Sequence, residues 1–302
     1  KLDEVLSIAD RVSVLRRGAL QATLPIGECD LDGLVELMIG QRQARPQAMT
    51  RAKPREVVLQ LRAVSLVRTG RSVLRDIDLE LRAGELLAIA GVEGNGQREL
   101  AEVLAGLIRP TTGSITLAGH DIWTERRHRR TARTQTAFIP ADGLTVALIP
   151  EMTVEENLFL RPAKRGKATY RGLIRRTARR SMAEALMARY AITGSPSTPV
   201  RELSGGNQRK VVLARELEGR PPVIIAAQPT QGLDVAATAY VHKVLRERRA
   251  DGAGIVLISA DLDEIFDLAD RVSVLRSGRV VGTVDAATAD HHQIGSLMTG
   301  VS

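Results

Sequence analysis

Three short runs constrain the fold more than anything else in this 302-residue chain. Leu86–Ala90 and Val223–Ala227 are apolar throughout, and Ile255–Ser259 is apolar up to its final serine. A strand with no polar face must be covered on both sides. Helical segments from Gln97 to about Ala105, from Gln208 to Leu217 and over 235–250 alternate with these runs. Strands alternating with helices predict an α/β fold with a mostly parallel core sheet between helical layers. Upstream, Val57-Leu59-Leu61 and Ile77-Leu79-Leu81 alternate with polar residues and predict half-buried strands. Residues 150–190 read as mainly helical, with Thr153-Val154-Glu155-Glu156 as the start signal, before Pro196 and Pro199 interrupt. A helix and a hairpin close the chain. No apolar run approaches the roughly 18 residues needed to cross a bilayer.

Two glycine-rich turns carry the chemistry. In Leu203-Ser204-Gly205-Gly206-Asn207-Gln208, a Ser-Gly-Gly turn opens a helix. Free backbone N–H groups gathered at the positive end of a helix dipole suit an anionic phosphate. A Cβ there would hold the ligand off the backbone. The other turn, Gly91-Val92-Glu93-Gly94-Asn95-Gly96, lies between a strand and a helix, where a phosphate loop of the form GxxxxGK[ST] belongs. In such a loop amides wrap the phosphates, a lysine neutralises them and a hydroxyl holds magnesium. Here Gln97 stands in the lysine's place and Arg98 in the hydroxyl's, with Arg98 offering its positive charge one position out of register.

The word LSGGNQ, followed by Arg209-Lys210, resembles the signature motif of ABC-type ATPases, and the resemblance extends over the whole chain. The inserted Asn207, the Gly91–Gln97 loop and the segment Ala226-Ala227-Gln228-Pro229-Thr230 through Gly232-Leu233-Asp234 look most like tandem ATPase subunits of sugar and nucleoside importers. The Ala-Ala-Gln-Pro-Thr segment and Gly-Leu-Asp ending lean toward the nucleoside type. The family implies a P-loop NTPase fold with antiparallel and helical subdomains, the latter over about residues 145–200. It also implies ATP and Mg2+, in sites shared between two domains packed head to tail. An aspartate and a glutamate normally end the strand occupied here by Val223–Ala227, ordering magnesium and polarising the attacking water. This chain has Ala227 and Gln228 there, Ala260 at the switch-histidine position and Ala141 at the Q-loop glutamine. No aromatic lies near Val67-Arg68 to stack on adenine. Each charge-assisted contact contributes about 1.5–3 kcal/mol, so losing two or three weakens binding on the order of a thousandfold. The resemblance therefore implies that Gly91, Gly94, Asn95, Gly96, Gln97 and Arg98 form a degenerate loop without a catalytic residue or metal ligand of its own. Ser204, Gly205, Gly206, Gln208 and Asp234 would serve a nucleotide held by the other domain.

An internal repeat points to that other domain. Residues 2–18 match residues 262–278 at twelve of seventeen positions, and the same offset of 260 aligns Leu37-Met38-Ile39-Gly40 with Leu297-Met298-Thr299-Gly300. Residues 1–42 thus read as the tail of a preceding copy, 43–56 as a linker with two prolines, and 57–302 as a second complete domain. Lys1 then marks a truncation, and the preceding copy would carry the competent loop, acid and histidine.

The single cysteine, Cys29, rules out an internal disulfide. The net charge of +8 concentrates in Arg126-Arg127-His128-Arg129-Arg130 and in the run Lys164–Arg180, yet aromatics make up only 2%. With little to stack on bases, no nucleic-acid partner is expected; solvated helix faces or an anionic membrane surface suit the charge better. The resemblance implies a peripheral subunit on the cytoplasmic face of the membrane, partnered by permeases and an extracytoplasmic substrate-binding protein. Two other readings compete: a soluble tandem ATPase acting on ribosomes or nucleic acid, and a purely regulatory domain. The short connector and the vacated site weigh against the first.

Overall fold

The computed structural model describes residues 8–16, 19–28, 37, 56–124, 135–161, 169, 170 and 173–300. Its centre is a six-stranded sheet. β5 (Leu86–Ala90), β8 (Thr136–Ile139), β11 (Val223–Ala227), β12 (Gly254–Ser259) and β13 (Arg271–Arg276) run parallel, and β14 (Arg279–Asp285) closes one edge antiparallel, in the order β14-β13-β5-β12-β11-β8. The all-apolar runs sit at β5, β11 and β12, where both faces are covered. Leu86, Ile224, Ala226, Ile255 and Leu257 pack on one side with Val211, Leu213 and Leu217. Leu87, Ile89, Ile225, Val256 and Ile258 pack on the other with Leu61, Ile77, Leu100 and Val103.

The second side is roofed by an antiparallel sheet of β3 (Val57–Arg68), β4 (Arg71–Arg82), β6 (Thr112–Leu117) and β7 (His120–Asp121), together with α1 (Gln97–Leu104). Period-two burial of Ile77, Leu79 and Leu81 gives β4 its inner face. The helical subdomain is less helical than the sequence predicts. α2 (Val154–Leu158) has five residues, and the two-residue strands β9 (Thr169–Tyr170) and β10 (Leu173–Ile174) precede α3 (Arg176–Arg189). The start of α2 is as expected: the Thr153 hydroxyl accepts from the Glu156 N–H, and the Glu156 carboxylate accepts from the Thr153 N–H. That backbone bond, then the Thr153 hydroxyl, holds the Glu156 carboxyl below its usual range.

The basic cluster 126–130 lies outside the described residues, as do Lys164, Cys29 and most of the linker. Within the described part of the second basic run, Arg179 and Arg180 pair with Glu155, at 2.5 and 3.8 Å, and Arg180 also pairs with Glu184.

The remaining α-helices among the described residues are α4 (Gly205–Leu217), α5 (Val235–Ala250), α6 (Leu262–Leu268) and a closing α7 (His291–Thr299), which the sequence reading omits. Among the described residues no helix is long and apolar enough to cross a membrane.

The repeat has a structural counterpart. β1 (Arg11–Arg16) and β2 (Ala19–Pro25) form a hairpin whose pairing, Arg11↔Pro25 through Arg16↔Ala19, is that of β13–β14, Arg271↔Asp285 through Arg276↔Arg279, at the same offset of 260. Both hairpins shift register after the equivalent valine, Val14 or Val274. Both carry a cross-strand hydroxyl pair of 2.8 Å, Ser13–Thr23 and Ser273–Thr283. They differ in surroundings: β13 pairs with β5, whereas β1, among the described residues, pairs with β2 alone.

Candidate functional site

The Ser-Gly-Gly turn is built to stay open. Ser204 caps α4, its hydroxyl accepting from the Asn207 side-chain N–H at 3.0 Å and from the Asn207 backbone N–H at 3.5 Å. The inserted Asn207 is thus a staple, since its amide also donates to the Thr193 hydroxyl at 2.7 Å and accepts from the Thr193 N–H at 3.0 Å. Gln208 turns inward, Nε2 donating to the Val200 and Leu203 carbonyls at 3.1 Å each. Ser204 and Gly205 are left exposed, and a Cβ on Gly205 would meet nothing within 4 Å. Gly206 has a packing reason as well: a Cβ there would lie 3.3 Å from the Ala237 methyl of α5. That contact brings two helix N-termini together, because Asp234 caps α5 by accepting from the Ala237 N–H at 2.7 Å. Ser204, Gly205, Gly206 and the exposed Asp234 therefore share one face.

The other glycine turn is closed by its own side chain. Gln97, first residue of α1, folds over the loop: Oε1 accepts from the Asn95 N–H at 3.0 Å, and Nε2 donates to the Val92 carbonyl at 2.7 Å. Its amide fills the hollow beside Gly91, where a Cβ would lie 2.7 Å from Gln97 Nε2. Gly94 and Gly96 take φ of +88° and +101°, the left-handed region that favours glycine. Asn95 ties the loop to the β13–β14 turn, Oδ1 accepting from the Ser277 N–H at 2.7 Å. Arg98 supplies no cation here; it points away, pairing with Glu102 at 3.2 Å with its side chain 79% exposed.

Beyond β11, Gln228 adopts φ of +47° and donates its backbone N–H to the Ile258 carbonyl at 2.7 Å. Next to Ala260, Asp261 is spent as the cap of α6, accepting from the Asp263 N–H at 2.9 Å. A magnesium nucleotide needs a cation at the loop and carboxylates beside it. These residues present a folded amide, a methyl group and a neutral glutamine, and do not fit it.

One cluster escaped the sequence reading. His242 on α5 places Nε2 3.0 Å from Glu264 and Nδ1 3.2 Å from Asp267, both on α6, while Glu264 accepts from the Thr230 hydroxyl at 2.8 Å. Arg246 completes it, 2.5 Å from Asp267. The i,i+4 spacing of His242 and Arg246 facing the i,i+3 spacing of Glu264 and Asp267 was the available signal. The cluster pins the Thr230–Asp234 turn to α6. Burial alone would depress the His242 imidazole, but hydrogen bonds to Asp267 and Glu264 and their charges leave it titrating above the usual histidine value. Burial likewise opposes the two carboxylates, yet the His242 bond, with other partners, holds both below their ordinary range. A raised cation stabilises below its unfolded pKa and loses that contribution as pH rises through the folded value; lowered carboxylates lose theirs as pH falls. The cluster therefore contributes most between about pH 4.5 and 6.5. His242→Gln should cost about 3 kcal/mol at pH 5.5 and distinctly less at pH 9, measured by urea unfolding. A difference independent of pH would count against this account.

The match to known proteins agrees with this geometry. The family model described as "ABC transporter" matches residues 74–231. The chain is 35% identical over 302 residues to the nucleoside import ATP-binding protein NupA of Lactococcus lactis subsp. cremoris, covering 99% of this chain and 60% of that protein. The guanosine import ATP-binding protein NupO of Bacillus subtilis is also 35% identical, with 97% and 58% covered. The glucose import ATP-binding protein TsgD13 of Haloferax volcanii is 36% identical, with 99% and 55% covered. The chain thus spans under two thirds of the length of these relatives. In fold it resembles the ATP-binding cassette MJ0796 in its ADP- and Pi-bound dimer, with a TM-score of 0.65 at 24% identity over 76% of this chain and 98% of that one. A signature turn on α4, a glycine loop between β5 and α1, the mixed sheet and the family match lead to one assignment: the chain belongs to the ABC transporter family.

Proposed function

We propose that this chain is part of the ATP-binding, energy-coupling subunit of an importer for nucleosides or simple sugars. In this reading residues 57–302 are the second of two nucleotide-binding domains, residues 1–42 are the tail of the first and 43–56 join them. The observation that carries it is the contrast within one domain: the Ser204–Gly206 turn is open, whereas the Gly91–Gly96 loop is closed by Gln97. An intact phosphate-facing turn with no usable loop of its own has a use only if the phosphate belongs to a neighbour. The duplicated hairpin supports such a neighbour, and the names of the relatives support import.

Ser204, Gly205 and Gly206 would direct N–H groups at the γ-phosphate of ATP held with Mg2+ by the first domain, with Asp234 alongside. The bound nucleotide supplies the free energy of closure. This chain's part is to orient the phosphate and exclude water from it. The subunit would sit on the cytoplasmic face of the membrane against its permeases, fed by an extracytoplasmic binding protein.

The test is reconstitution of the full-length subunit with its permeases and binding protein in liposomes. ATP-dependent uptake of nucleosides, exceeding that of ribose or glucose, is the expected result. Uptake indifferent to ATP, for nucleosides and sugars alike, would sink the reading.

A further inference from the structure

The signature helix reaches back into its own domain at two places. Arg209, only 5% exposed, donates from both terminal nitrogens: to the Pro140 carbonyl at 2.6 Å and to the Ala141 carbonyl at 2.6 Å. Farther along α4, Arg215 donates to the Ala147 carbonyl at 2.6 Å, with its Nε held by Glu216 at 2.9 Å. Between these points runs the turn Gly143–Ala147, capped by Asp142, whose carboxylate accepts from the Thr145 N–H at 2.9 Å. The start of β8 is fastened to the same helix: Arg161 pairs with Glu216 at 2.9 Å and donates to the Thr136 carbonyl at 2.8 Å.

Stability alone does not account for Arg209. A buried guanidinium hydrogen-bonded to two backbone carbonyls is costly, and an apolar side chain of similar volume often serves a core as well or better. Burial lowers its pKa, opposed by the charges of Asp142 and Glu264. What the planar fork provides, and a hydrocarbon cannot, is a fixed two-point attachment. It joins backbone at the position of the missing Q-loop glutamine, Ala141, to a helix whose first turn is Ser204–Gly206.

We propose that Arg209, seconded by Arg215, is a positioning residue that makes the signature turn and the Pro140–Ala147 segment one mechanical unit. A displacement of either is delivered to the other. The inference rests on the signature acting on a neighbour's nucleotide, since only then does its exact aim affect turnover.

The experiment uses the full-length subunit in its transport complex, with Arg209→Met, Arg209→Lys and Arg215→Met beside Ser204→Arg. Arg209→Met should lower kcat by about tenfold to a hundredfold while the KM for ATP stays within about twofold, the pattern of an interaction felt in the reaction step. Amide exchange should rise together at 142–148 and 204–208. Arg209→Lys should recover little, because an ammonium cannot span two carbonyls. Arg215→Met should give the same pattern more weakly. An unchanged kcat in Arg209→Met would overturn the proposal. So would faster exchange confined to 142–148, or a kcat loss matched by a collapse in thermal stability. If Ser204→Arg leaves turnover intact, the signature reading has failed instead, and the coupled exchange alone decides on the clamp.

Discussion

Ser204→Arg in the full-length subunit should cut ATP turnover at least a hundredfold while leaving the domain folded. Two features of the turn set this expectation. The Ser204 side chain is exposed and its bonds are local, to Asn207, so its removal costs the helix about 1 kcal/mol as a lost cap. The space before Gly205 is open, so an arginine there enters the surface on which the neighbour's phosphate would lie. Losing one preorganised donor at a reacting oxyanion costs about 10²–10³ in rate, and a bulky side chain displaces several donors at once. Ser204→Ala separates the two effects: it loses the cap but keeps the backbone, and should stay within about tenfold of the parent. Steady-state ATPase rates and thermal melts of the three proteins decide the matter. Comparable turnover in Ser204→Arg and the parent would show that the turn faces no nucleotide.

The second large effect concerns the closed loop. The 302-residue chain should hydrolyse no Mg–ATP above background, and magnesium-dependent turnover would refute the degenerate-site reading. Gln97→Lys with Arg98→Ser should raise ATP affinity by about tenfold to a hundredfold, as one charge-assisted contact returns and the amide leaves the Asn95 N–H. Hydrolysis should remain absent in this double variant, because Ala227, Gln228 and Ala260 still occupy the positions that handle magnesium and water. Equilibrium binding and ATPase assays on one preparation separate the two outcomes. No gain in affinity would mean that Gln97 is not what closes the loop.

Much of this architecture was legible because burial writes itself into composition. β5, β11 and β12 announced themselves through apolar residues at nearly every position. The Thr153–Glu156 box marked α2 because both side chains have one chemical job there. α4 begins at Gly205, three residues before the helix inferred from Gln208, because Ser204 caps a first turn that glycines would otherwise weaken. α7 escaped notice since its histidines and Gly295 are poor helix signals, although Asp290 caps it by accepting from the Gln293 N–H. That Gln97, Ala227 and Gln228 stand where the family resemblance places a lysine and two acids is a reading of the sequence alone. Arg209 grasping two carbonyls could not be read there, because helix and loop are remote in sequence; His242 between two carboxylates left only a spacing signal, and Gln97 lying across its own loop is a side-chain conformation that composition does not record.

The duplicated hairpin bears on handling of the molecule. Along β13 the backbone is paired on both sides, by β14 and by β5; along its twin, Arg11–Arg16, only the β2 side is paired among the described residues. A strand edge left open in this way is a template for another chain's strand, and exposed Leu20 on the hairpin and Ile8 just before it add apolar surface. Self-association of a preparation carrying this hairpin would begin there, and starting the polypeptide at Glu56 would remove its seed without touching a strand of either larger sheet.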